Sequence, residues 1–118
     1  MPRIEIPLAD IPDGRPVRVE YGEIGVVVVR TADGIRAFED SCPHAQWRLS
    51  DGELVGDVIE CPGHGWEFQA STGRCVNVPA YCLKPFVVTV RNAIVEIEIQ
   101  AATDERAVRG AYDGQAAF

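Results

Sequence analysis

Apolar and polar residues alternate over several short stretches of this chain, and the period is that of strands. Val17, Val19 and Tyr21 alternate with Arg18 and Glu20, the pattern of a half-buried strand. Ile24 to Arg30 is a β-branched run, which suits a more central strand. Asp33-Gly34 follows it as a hairpin signal, and Ile35 to Phe38 returns as the partner strand. Toward the other end Phe86, Val88 and Val90 alternate as one run, which Asn92-Ala93 breaks. Val95, Ile97 and Ile99 then alternate with Glu96 and Glu98, which predicts a final hairpin.

The stretch from about residue 40 to residue 85 differs in kind. It holds all four cysteines, both histidines and both tryptophans. Its strands must be short, and Val58 to Glu60 and Trp66 to Gln69 are the candidates. Turns are expected at Asp51-Gly52 and Thr72-Gly73. The expectation is an all-β fold: one domain over residues 1–100, a β-sandwich or barrel, with a small subdomain inserted at about 40–85. The tail, 101–118, is rich in alanine and glycine. A short helix around Glu105 to Ala111 and disorder are both compatible with it.

Composition narrows the function classes. A chain of 118 residues is an ordinary single domain that buries enough surface to fold without disulfides. Its formal net charge of −7 repels phosphate backbones, so no nucleic-acid partner is expected. The N-terminus has a charge on each side of its first apolar residue and lacks the apolar core of a secretion signal. The longest apolar run, Ile24 to Val29, is too short to span a bilayer. A cytoplasmic location away from membranes is expected, and a reducing compartment keeps cysteines as thiols or metal ligands.

Both histidines lie just behind a cysteine. Cys42-Pro43-His44 is a C-x-H pair and Cys61-Pro62-Gly63-His64 is a C-x-x-H pair. Thiolate and imidazole are ligands for zinc and for iron–sulfur clusters. A proline inside each loop stiffens it, so little entropy remains to be lost on binding. A zinc finger pairs two cysteines in one element and two histidines in another. Here each loop carries one of each. That division suits a Rieske [2Fe–2S] centre, with two cysteines on one iron and two histidines on the other. Zinc is the alternative.

These motifs, with Leu49-Ser50-Asp51-Gly52, Gly65-Trp66-Glu67-Phe68 and Thr72-Gly73, resemble the Rieske-type ferredoxins of bacterial multicomponent oxygenases. The resemblance spans roughly residues 3 to 100. It implies a Rieske-type β-sandwich with one [2Fe–2S] cluster at the tip of the inserted subdomain, held by Cys42, His44, Cys61 and His64. Pro43, Gln46, Trp47 and Val78 to Leu83 look closest to the Rieske components of toluene-monooxygenase-type diiron systems. Trp47, Pro79 and Tyr81 are candidates for docking or for covering the cluster. Trp66 reads as packing beneath the loop, and Cys75 and Cys82 as two buried thiols without a cluster role.

The implied function is electron transfer without catalysis. The two histidines are used by the cluster, so none is left for the mononuclear iron of a Rieske oxygenase. The chain also lacks a Gly-x-Gly-x-x-Gly turn and the length for flavin and nicotinamide domains. What remains is a monomeric carrier between an NAD(P)H-dependent flavin reductase and a terminal oxygenase acting on aromatic or other hydrocarbons, a diiron monooxygenase first. The alternatives are the ferredoxin of a ring-hydroxylating dioxygenase and the small Rieske-like subunit of an assimilatory nitrite reductase. High-potential Rieske proteins carry an extra cysteine in each loop and a serine after the second His-Gly. Here Trp47, Gly63 and Trp66 hold those positions, so a potential near the low end of the Rieske range is expected.

Overall fold

The computed structural model describes residues 2–43, 47–63 and 65–99. Among them ten strands form: β1 (Arg3–Pro7), β2 (Val17–Tyr21), β3 (Ile24–Thr31), β4 (Gly34–Glu39), β5 (Glu53–Val55), β6 (Val58–Glu60), β7 (Glu67–Gln69), β8 (Pro85–Phe86), β9 (Val88–Arg91) and β10 (Ile94–Glu98). They make three antiparallel sheets, ordered β1-β10-β9, β2-β3-β4-β8 and β5-β6-β7. The all-β expectation holds. His44, Ala45, Gln46, His64 and the tail beyond residue 99 lie outside the described residues.

The β-branched run forms β3, and Val26 to Val29 are all fully buried. Alternate side chains of a strand point to opposite faces, so this run feeds two cores. Val26 and Val28 pack with Ile6, Ile11, Val95 and Ile97. Val27 and Val29 pack with Phe38, Leu49, Ile59 and Phe68, and this second core also contains Cys42 and Cys61. Each fully buried valine or isoleucine contributes about 1.5–3 kcal/mol. The β3–β4 hairpin closes with Thr31 opposite Gly34, and the Thr31 hydroxyl donates to the Gly34 carbonyl (3.0 Å).

Three elements differ from the sequence expectation. β1 is a strand paired with β10, Ile4 opposite Ile97, a pairing of distant segments that no local turn signal announces. β5 was not anticipated, because three residues are too short for a period to show. The run Phe86 to Val90 is not one strand. Phe86 pairs with Ala37 in the four-stranded sheet, whereas Val88 pairs with Ile97 in the other. The chain changes sheet at the exposed Val87, whose carbonyl accepts the Glu98 N–H (2.9 Å), as strands do at sandwich corners. No helix among the described residues is long and apolar enough to cross a membrane.

Candidate metal centre

The small β5-β6-β7 sheet lies between β4 and β8 in sequence, and the cysteine loops flank it. Cys42 follows β4 and Cys61 follows β6 directly. Both side chains are buried within the second core, and neither takes part in a disulfide.

The two loops share one backbone frame. The Cys42 N–H donates to the Trp47 carbonyl (2.8 Å), and the Cys61 N–H donates to the Trp66 carbonyl (2.7 Å). Each bond closes a Cys-Pro-x-x-x-Trp segment. In sequence, His44 belongs to the first segment and His64 to the second. The repeated Cys-Pro-x-x-x-Trp spacing is itself a sequence signal. It marks the two loops as a matched pair. In the second loop the Gly65 N–H also returns to the Cys61 carbonyl (3.1 Å), with Gly65 at φ +69°, a conformation that suits glycine.

The loops also touch each other. A Cβ placed on Gly63 would collide with the indole of Trp47, so the ring of the first loop lies against the backbone of the second. Trp47 is nevertheless half exposed, at 50%. Trp66 is partly buried against the second core and makes a tilted ring contact with Tyr81, centroids 5.3 Å apart. That agrees with its reading as packing beneath the loop. Tyr81 and Pro79 are exposed, and Arg74 donates to the Pro79 carbonyl (3.2 Å).

The remaining cysteines correct one expectation. Cys75 is buried, but Cys82 is exposed. Cys75 anchors the loop that follows it. Its sulfur accepts the Val78 N–H (3.4 Å), and its own N–H donates to the Tyr81 carbonyl (2.9 Å). Cys82 forms a backbone bridge with Arg74, and its side chain is exposed.

This donor set suits an iron–sulfur cluster. Two buried thiols are presented by matched stiff loops, and thiolates in an apolar shell are the usual ligands of such clusters. The comparisons with known proteins agree. Residues 4–87 match the Rieske [2Fe-2S] domain family, and the chain belongs to that family. The ferredoxin component of biphenyl 2,3-dioxygenase from Rhodococcus jostii (strain RHA1) is 34% identical over 92 residues, covering 77% of this chain and 86% of its own length. A solved complex of reduced oxygenase and oxidized ferredoxin in carbazole 1,9a-dioxygenase contains a chain that is 36% identical, with a TM-score of 0.73, covering 80% of this chain and 100% of that one. The chloroplastic protein TIC 55 of Arabidopsis thaliana is 29% identical over 80% of this chain, but this chain spans only 19% of its length. The cofactor is therefore one [2Fe–2S] Rieske cluster, and the protein is an electron-transfer ferredoxin, not a catalytic enzyme. On the finer question, three of the ferredoxin relatives are named as components of dioxygenase systems. This moves the weight from the diiron monooxygenase expectation to the dioxygenase alternative.

Proposed function

We propose that this chain is the ferredoxin of a ring-hydroxylating dioxygenase system. It takes single electrons from an NAD(P)H-dependent flavin reductase and delivers them to the terminal oxygenase, as a cytoplasmic monomer that binds each partner briefly. The observation that carries the reading is the pair of buried thiols, Cys42 and Cys61, presented by two loops with one hydrogen-bond frame. Cys42 and Cys61 would hold one iron and His44 and His64 the other. When bound, the cluster supplies a one-electron site with neutral imidazoles on one iron, which makes adding an electron easier than with four thiolates.

The chain's own residues supply the rest. The second core excludes water from the thiol side. Trp47, Pro79 and Tyr81 are exposed, with Trp47 against Gly63 of the second loop and Tyr81 against Trp66, and they would offer apolar contacts to a partner. Such contacts on a net-acidic chain fit transient docking guided by charge.

The test is a reduction assay with purified partners. The protein is reduced by a flavin reductase and NADH, then mixed with a ring-hydroxylating oxygenase or with a diiron hydroxylase. Fast oxidation by the ring-hydroxylating oxygenase and slow oxidation by the diiron hydroxylase is the expected result. The reverse order would overturn the dioxygenase assignment, and a protein that binds zinc without red-brown colour would overturn the electron-transfer reading.

A further inference from the structure

Asp40 stands out as a charged residue whose side chain is fully buried. One carboxylate oxygen accepts the Ser50 N–H (2.8 Å). The other accepts the Ser50 hydroxyl (2.6 Å) and Arg18 Nη1 (2.7 Å). The Asp40 N–H donates to the Gly25 carbonyl (2.9 Å). Arg18 reaches this place from β2 across Gly25, where any Cβ would strike the guanidinium. β2 and the Leu49–Asp51 turn thus meet at one carboxylate, while β3 holds the same residue by its backbone N–H.

The residues bracketed by this network are the first loop itself. Asp40 and Ser50 are its two ends, and Cys42 lies between them, with His44 in sequence. Stability alone does not account for such a pair, because well-packed apolar residues often do as well as a buried ion pair. An ion pair adds directional hydrogen bonds and fixed charge. Asp40 is two residues from Cys42, so their Cα atoms are at most about 7 Å apart. Arg18 reaches the carboxylate from β2 and its side chain is 24% exposed, against 0% for Asp40, so its positive charge is better screened. The carboxylate in turn raises the Arg18 pKa above the ordinary guanidinium value, against the opposing effect of burial.

We propose that Asp40 and Arg18 are positioning residues that close the first loop at its base and set the reduction potential of the centre through opposed charges. This rests on the assignment of Cys42 as a ligand. A negative charge near the centre makes adding an electron harder, and a positive one makes it easier. Asp40 therefore lowers the potential and Arg18 raises it.

The experiment is a redox titration of the holoprotein followed by electron paramagnetic resonance, with iron release to a chelator measured in parallel. Asp40→Asn is expected to raise the midpoint and Arg18→Gln to lower it by less, with the double variant between Asp40→Asn and the parent. Ser50→Ala keeps both charges, so its midpoint stays close to the parent while iron is released several-fold faster. Unchanged midpoints, or single variants that shift in the same direction, would overturn the proposal. If Asp40→Asn fails to retain iron, the part-exposed Arg18→Gln carries the test alone: a lowered midpoint supports the proposal and an unchanged one refutes it. Cys42→Ser separates the two readings. If it keeps the resonance signal, the ligand assignment fails, whatever the charge variants do.

Discussion

Replacing Gly52 with alanine should damage the centre without touching a ligand. Gly52 ends the 3-10 turn Leu49–Asp51 and has an ordinary φ of −90°, so conformational freedom is not why glycine stands there. A Cβ at this position would be driven into the carbonyl oxygen of Glu60 and would lie 3.1 Å from Pro62 Cδ. The obstacle is backbone, with no rotamer to move aside. The two segments would have to part by more than about 1 Å in a close-packed interior. Overpacking of this kind costs about 1–3 kcal/mol, and a rigid obstacle puts it near the upper end. For a domain of this size that lowers Tm by about 10–20 °C. Glu60 directly precedes Cys61, so iron should also be lost. The control is Gly56→Ala. Gly56 has φ +61° but open space around it. Alanine there carries only the left-handed backbone penalty of about 1–2 kcal/mol. Thermal unfolding of both holoproteins by circular dichroism, with iron content measured alongside, compares them. A Gly52→Ala protein that keeps its iron and melts no lower than Gly56→Ala would refute the close-approach argument.

Other outcomes follow from the same geometry. His64→Ala should abolish the Rieske resonance signal, whereas Cys75→Ser should keep it and lose about 1–2 kcal/mol, since a hydroxyl replaces a buried sulfur; loss of the signal in Cys75→Ser would show that the four-ligand set is wrong. The midpoint potential should lie below roughly +100 mV, toward the low end of the Rieske span, and a redox titration checks it. Electron transfer to the oxygenase should slow as salt rises, because exposed charges are screened within about 8–10 Å at moderate ionic strength; a rate indifferent to salt would remove charge from the docking account.

Much of this architecture was legible because its signals are local. The β3–β4 hairpin needs only a β-branched run and Asp33-Gly34, and both are adjacent in sequence. The ligand motifs were legible because C-x-H and C-x-x-H are rare in a chain with two histidines. What escaped depends on distant partners. Nothing near Phe86 says that the chain changes sheet at Val87, since that is decided by pairing with Ala37 on one side and Ile97 on the other. The Asp51-Gly52 pair reads as a turn, yet the reason for glycine is the approach of a strand eight residues away. Cys75 and Cys82 look equivalent in sequence, yet Cys75 packs into the second core and Cys82 is exposed. Asp40 carried no sequence signal at all, because its partners Arg18 and Ser50 meet it only in three dimensions.

The shared wall between the two cores has a consequence for how the molecule comes apart. β3 is covered by side chains of one core on one face and of the other core on its opposite face. If the thiol-side core loosens when iron is stripped, the other face of β3 stays packed. Metal loss and chain unfolding are then separate events, with a folded iron-free species between them. In hydrogen exchange, amides of β5 to β7 should open on demetallation, while those of Val26 to Val29 wait for global unfolding. A protein built this way can lose its cargo and still keep a scaffold ready to receive it again.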